Sequence, residues 1–306
     1  LSRKLNESIW FSNHRGHAHF LAKTNNFKGF FAEILGKASA NNNAFGGSQH
    51  LYVKHKFMSN GIQGGQLGIA SGISSHFSYL DIPAVMFIGD GTLGAGHIYE
   101  ALNIASIMKT RTLIVLEDNE VAQSTPSAKT FRGSIQSRIE GFGCQYFFWK
   151  STPSWQDSIA SLDSIISEAI DGIKHTPVLL HLKTSRLGPH SKGDDNRPRD
   201  YVEELIRDDI LNSAAREGFF ASPKKEIKEV EELFSTVLTE PNATSIWIEK
   251  NKTSIELEKE FKSKLNSERT PSRSRNSRDI IRDSLDYAIE KWDAVILGED
   301  IEDYPY

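Results

Sequence analysis

Three short, predominantly apolar runs punctuate the chain: Ala84–Ile88, Thr112–Leu116 and Val178–Leu182. Each is too short for a buried helix and is followed by polar or glycine residues, the pattern of a strand covered on both faces. A fourth run, Ala294–Leu297, lies near the C-terminal end. Between the runs the apolar spacing becomes helical. His97–Met108 places Ile98, Leu102, Ala105 and Met108 on one stripe, and Trp155–Ile173 does the same with Ile159, Leu162, Ile166, Ala169 and Ile173. Ser154 and Asp157 suit a capping box at the start of the second helix. Ile227, Val230, Phe234 and Val237 mark a further amphipathic helix. Strands separated by helices predict an α/β fold with a mainly parallel sheet and helices on both faces. In such sheets ligands bind where the strands end, at the carboxyl edge.

With 306 residues, the chain is long enough for one large domain or two smaller ones. Composition shifts near residue 239. Residues 1–238 alternate glycine-rich turns with apolar runs, 239–276 are rich in Lys, Glu, Ser, Asn and Arg, and 277–306 return to an ordered pattern. The middle stretch reads as a charged linker, with a short helix around Ser254–Lys264. The chain begins at Leu1 and stops at Tyr306 just after a strand-like run, so both ends read as cut. Cys144 is the single cysteine, which excludes an internal disulfide framework and cysteine-cluster metal sites and suits a reducing compartment. No apolar run approaches the roughly 20 residues of a membrane helix, and no secretory leader pattern opens the chain. Lys plus Arg is 36 and Asp plus Glu is 40, giving a net charge of −4. That balance argues against nucleic acid as the main partner. The expectation is a cytoplasmic, bacterial-type protein with neither membrane nor nucleic-acid partners.

The chemistry concentrates at two strand ends. Gly89-Asp90-Gly91 follows the first apolar run and is expected to open the helix around His97–Met108, and the next run ends in Glu117-Asp118-Asn119. A Gly-Asp-Gly turn lets backbone approach a ligand closely and presents one carboxylate at the sheet edge. Asn119, at the neighbouring strand end, brings an amide oxygen to the same point. A carboxylate, an amide oxygen and a backbone carbonyl are hard ligands suited to Mg²⁺ or Ca²⁺, with positions left for phosphate oxygens. The competing reading is a plain tight turn with Asn119 capping a strand.

Gly89-Asp90-Gly91, then 27 residues, then Asn119 resembles the cofactor motif of thiamine diphosphate enzymes. Further segments narrow the family: Ser12-Asn13-His14-Arg15-Gly16-His17-Ala18-His19, Gly46-Gly47-Ser48-Gln49-His50, Asn60-Gly61-Ile62-Gln63-Gly64-Gly65-Gln66, and Arg186-Leu187-Gly188-Pro189-His190-Ser191. Together they resemble alpha subunits of the thiamine-diphosphate-dependent 2-oxo acid (pyruvate or branched-chain) and acetoin dehydrogenases, from about Asn6 to about Phe220. Residues 278–304, with Ile296-Leu297-Gly298-Glu299-Asp300, resemble the start of the family's beta subunit, as in an alpha–beta fusion.

The resemblance implies a thiamine diphosphate-binding fold whose diphosphate domain is residues 1–238. It implies that Asp90, Asn119 and the carbonyl of Val121 bind the metal, and that Arg15 contacts the diphosphate, for which its planar fork is suited. Gly61 and Gln63 fall under the aminopyrimidine ring. Gly89, Gly91, His50 and Glu100 are the remaining cofactor-side positions. His190, in a loop Pro189–Asp200 expected to be mobile, and His17 are the catalytic positions, imidazole being able to move protons near neutral pH. His97 departs from the family, where acidic or amide residues sit, while Glu100 and Glu299 resemble members of an acidic channel between sites. The implied activity is decarboxylation of a 2-oxo acid, or cleavage of acetoin, with transfer to a lipoyl acyltransferase partner. The implied assembly is a homo-oligomer whose site is completed by a beta-type domain carrying the activating glutamate. A carboligase or stand-alone decarboxylase without a lipoyl partner is the alternative, and a non-catalytic assembly module a lesser one.

Overall fold

The computed structural model describes residues 1–76, 82–191, 197–220, 224–243 and 277–292. In chain order its strands are β1 (Ile9–Asn13), β2 (Tyr52–Val53), β3 (Phe57–Asn60), β4 (Ala84–Gly89), β5 (Thr112–Asp118), β6 (Val121–Ala122), β7 (Thr125–Pro126), β8 (Gln145–Lys150) and β9 (Val178–Lys183). Its helices are α1 (His17–Thr24), α2 (Phe27–Leu35), α3 (Gln66–His76), α4 (His97–Ile107), α5 (Ile135–Gly141), α6 (Trp155–Gly172), α7 (Arg199–Asp208), α8 (Ile210–Arg216), α9 (Lys224–Leu238) and α10 (Ser277–Trp292). Seven strands form one sheet in the order β2-β3-β1-β4-β5-β9-β8, and β6 and β7 form a separate hairpin. Every pairing in the large sheet is parallel except β2 with β3.

The three apolar runs are the central strands because alternate residues feed two different cores. Ala84, Met86 and Ile88 of β4 join Ile114 and Leu116 of β5 on one face, against Leu67 and Ala70 of α3 and Ile98 and Leu102 of α4. Val85 and Phe87 join Leu113 and Val115 on the other, with Phe20 of α1, Phe30 of α2, and Ala169 of α6. A side-chain period of two, buried on both sides, fills these strands with mostly apolar residues, Thr112 and His181 being buried polar exceptions. The predicted helix stripes become α4, α6 and α9. Ser154 caps α6 by accepting the Asp157 N–H at 3.2 Å. Patterning missed β1, β3 and β8. β1 ends in polar Ser12 and Asn13, and β8 is an edge strand with mixed exposure, so neither shows a continuous apolar run of aliphatic residues. One detail differs from expectation: Asp90–Gly94 forms a 3₁₀ turn, and α4 starts only at His97.

The chain divides into two compact units, Leu1–Thr244 and Ser245–Tyr306. Past residue 239 the backbone stays attached to the first unit, where Ala38 N–H donates to the Pro241 carbonyl and Ala243 N–H to that of Gly36. In the second unit α10 is the described element. The helix expected at Ser254–Lys264, the strand at Ala294–Leu297 and the segment around Glu299 lie outside the described residues. Cys144 is buried, and burial raises its thiol to about 11, so it packs as an apolar group. Among the described residues no helix is long and apolar enough to cross a membrane.

The loop leading from α2 to β2 is organised by one buried carboxylate. Glu33 is 1% exposed and accepts backbone N–H groups from Asn42 (2.7 Å), Ala44 (3.3 Å) and Gly46 (2.7 Å). Gly46 is obligatory there, since a Cβ would lie 2.0 Å from the His50 carbonyl oxygen. Replacing Glu33 by Ala strands buried donors and is expected to cost about 2–4 kcal/mol in urea denaturation.

Candidate functional site

The register between β4 and β5 creates the site. Gly89 pairs with Glu117, so Asp90 is the first residue past one strand and Asn119 lies just past its neighbour. A cleft of about 590 Å³ opens there, at the carboxyl edge of β1, β4 and β5. It is lined by Arg15, Gly61, Gln63, Gly89, Asp90, Gly91, Asn119, Val121 and His190, nine of the positions singled out in the sequence. His14, Glu117 and Arg186 also line it, without having been assigned a role.

Asp90 is 4% exposed. Burial, with the nearby Asp118 charge, raises its carboxyl, while a hydrogen bond donated by the Ser127 hydroxyl works the other way. Among the described residues no Lys, Arg or His pairs with Asp90. A buried carboxylate lacking a cation is the electrostatic condition that a metal ion relieves. Ser127 stands 37 residues from Asp90, and no spacing rule in the sequence connects them.

The segment after β5 is held in an unusual backbone path. Asp118 accepts the Glu120 N–H at 2.9 Å, and the Asn119 side chain accepts the Val121 N–H at 3.2 Å. Glu120 and Gln123 adopt positive φ, 65° and 56°, a conformation that non-glycine residues hold only when their surroundings enforce it. Gly91 faces this segment, and a Cβ there would sit 2.8 Å from the Ala122 Cβ. A Cβ on Gly89 would meet no protein atom within 4 Å, so the space beside it belongs to the cleft.

Beneath the segment lies a buried polar network. Tyr146 Oη meets His181 Nδ1 at 2.8 Å, and His181 Nε2 meets Asp118 Oδ2 at 2.9 Å. Lys183 Nζ donates to Asp118 Oδ2 at 3.0 Å and pairs with Glu120 at 2.6 Å. Burial alone would raise the Asp118 carboxyl. The His181, Glu120 and Lys183 hydrogen bonds outweigh it and hold the group at about 2.

On the opposite wall, Arg15 Nη2 donates to the His190 carbonyl at 2.5 Å, joining residues 175 apart in sequence. The Thr92 hydroxyl donates to Gln63 Oε1 (3.0 Å), and Gln63 Nε2 lies 3.3 Å from His14 Nδ1. Burial, then the neighbouring charges of Arg15 and His190, lowers the His14 imidazole. His19 stacks on Phe87 at 3.9 Å and bridges Ser12 (2.8 Å) to Glu117 (3.2 Å). Three predicted positions do not line the cleft. His17 Nε2 bonds the Ser48 carbonyl at 2.9 Å. His50 lies behind Gly61, 3.7 Å from where its Cβ would be. Glu100 is exposed on α4. The Pro189–Asp200 loop falls in part outside the described residues.

Among the described residues no group of three or more His, Cys, Asp or Glu side chains converges to hold a metal. A cation in the cleft would rest on the Asp90 carboxylate with neutral oxygens from Asn119 and Val121, a donor set that fits Mg²⁺ or Ca²⁺ and leaves positions for a ligand's own oxygens.

A parallel sheet with a buried carboxylate, amide oxygens and an arginine gathered at its carboxyl edge defines an α/β domain with a polar cleft at that edge. Residues 3–147 match the family model described as "Dehydrogenase E1 component", and the chain is similar to alpha subunits of such enzymes. It is 28% identical over 252 residues to the pyruvate dehydrogenase E1 component subunit alpha of Rickettsia bellii, covering 74% of each chain. The corresponding Rickettsia prowazekii subunit is 30% identical over 217 residues, covering 65% of this chain and 63% of its own. The subunit alpha of acetoin:2,6-dichlorophenolindophenol oxidoreductase from Bacillus subtilis is 36% identical over 189 residues, covering 60% and 56%.

The Asp118 network makes a pH signature. Its carboxyl is depressed from an ordinary 3.8 to about 2, so its stabilisation is present above about pH 4 and is lost as pH falls towards about 2. Against Asp118→Asn, the native chain is expected to hold an advantage of about 2 kcal/mol near neutral pH. In urea denaturation at stepped pH, that advantage shrinks through this window.

Proposed function

We propose that this chain binds thiamine diphosphate through a divalent cation and takes part in decarboxylation of a 2-oxo acid, or cleavage of acetoin, as the alpha part of an E1-type enzyme. The observation that carries the reading is the buried, cation-free Asp90 carboxylate standing beside Asn119 at register-matched strand ends, with Arg15 in the same cleft. The match of residues 3–147 to the E1 dehydrogenase family model supports it. When bound, thiamine diphosphate supplies a nucleophilic carbon and an electron sink for the bond broken on loss of CO₂.

The chain's own residues bind and orient. Asp90, Asn119 and the Val121 carbonyl hold the cation, and Arg15 presents guanidinium N–H groups to phosphate oxygens. Gly61 and Gln63 supply the floor beside the heterocycle, with Gln63 locked by Thr92. His190 stands at the rim, bonded to Ser191 at 2.9 Å, where it can hold or deliver a proton to a reacting oxygen. A beta-type domain completes the site with the glutamate that activates the cofactor, and a lipoyl acyltransferase accepts the acyl or acetaldehyde group.

The 36% identity to the Bacillus acetoin subunit keeps acetoin beside 2-oxo acids as donor. Product analysis of the intact polypeptide with a panel of 2-oxo acids and acetoin, with and without a lipoylated acyltransferase domain, separates transfer from carboligation. Asp90→Ala in the complete protein is expected to weaken Mg²⁺-dependent thiamine diphosphate binding by more than about tenfold in calorimetry. Unchanged affinity sinks the assignment.

A further inference from the structure

A second cavity, of about 500 Å³, lies beside the cofactor cleft, further along the carboxyl edge towards β8 and β9. Asn119, Val121 and Arg186 line both cavities, so these residues form the boundary between them. The volume is in the range of small-metabolite sites. Among the described residues four cationic side chains line it, Lys150, Lys183, Arg186 and Arg197, against one carboxylate, Glu120, together with Tyr201.

Among the described residues the positive charge of Lys150 and Arg186 has no acidic partner. Lys183 is spent on Asp118 and Glu120. Arg186 Nη1 donates to the Gln123 carbonyl at 2.6 Å, a neutral partner, while its Nε is buried without any hydrogen bond. Arg197 donates to the carbonyls of Arg186 and Gly188 (2.6 and 3.1 Å), which fixes the path of that strand exit. Lys150, the last residue of β8, makes neither ion pair nor hydrogen bond among the described residues. A buried guanidinium donor with no acceptor costs free energy unless a ligand supplies one. Lysine and arginine around one cavity, with the single carboxylate already paired, select an oxyanion.

We propose that this second cavity binds a small, multiply charged oxyanion, a phosphorylated or polycarboxylate metabolite, separately from the cofactor cleft. The site needs no part of the proposed cofactor chemistry, because the residues that define it, Lys150 and Arg197, do not line that cleft.

Inorganic phosphate, titrated calorimetrically into the full chain, tests this, alone and with saturating thiamine diphosphate and Mg²⁺. Phosphate is expected to bind in both conditions. Lys150→Glu, at an exposed strand end, weakens it by about tenfold or more, and Lys150→Gln weakens it less. Arg15→Ala leaves it unchanged. Citrate displacing the phosphate identifies a site that also takes polycarboxylates, and failure to displace identifies a phosphoryl site. The proposal is overturned by no binding at millimolar phosphate, or by loss of binding in Arg15→Ala and retention in Lys150→Glu. Competition by thiamine diphosphate with Mg²⁺ overturns it as well, since that places the anion in the cofactor cleft.

Discussion

The parallel register of β4 against β5 is the constraint on which the site depends. Residue-for-residue pairing from Ala84 with Thr112 through Gly89 with Glu117 leaves the two chains emerging side by side, and everything polar in the cleft is measured from that point. A slip of one residue would turn each strand's side chains to the wrong core. The two apolar clusters forbid it, since Met86 and Ile88 are matched to one and Val85 and Phe87 to the other. Packing on both faces of the sheet therefore sets the position of chemistry at its edge.

The edge also has to manage two carboxylates close together. Asp118 is compensated from inside the fold, by His181 and Lys183 beneath it. Asp90 is left with a hydroxyl from Ser127. The asymmetry separates them: one carboxylate anchors the backbone turn that carries Asn119 and Val121, and the other, at the cleft, has only neutral hydrogen-bond donors among the described residues. The strained residues Glu120 and Gln123 lie in the turn so anchored, which is where backbone strain is tolerated because the surrounding bonds over-determine it.

Much of this was legible in the order of residues. The three central strands announce themselves because doubly buried strands favour apolar side chains, and Gly89-Asp90-Gly91 and Asn119 are visible because they follow those strands directly. Arg15, Gly61, Gln63 and His190 came from family likeness, and all four meet at one cleft. What stayed hidden depends on contacts between distant segments. Ser127 reaches Asp90 only after the β6–β7 hairpin turns back, and the Tyr146–His181–Asp118 chain exists only once β8, β9 and β5 are laid side by side. Edge strand β8 was missed because its exposure is mixed. His17, His50 and Glu100 show the opposite limit: a motif puts a residue near a site without deciding that it lines the site.

The bond from Arg15 to the His190 carbonyl carries a consequence for how the cleft is occupied. A guanidinium has five N–H groups in one plane, and here one of them already serves the main chain of the opposite wall. In the proposed function the same group also receives the oxyanion of the ligand. An oxyanion that immobilises the arginine would also steady the backbone at His190, so ligand capture and ordering of that backbone draw on a single loss of side-chain freedom. By reciprocity, any change that stiffens that wall sharpens the grip on the anion, and any change that loosens it is felt as weaker binding on the far side of the cleft.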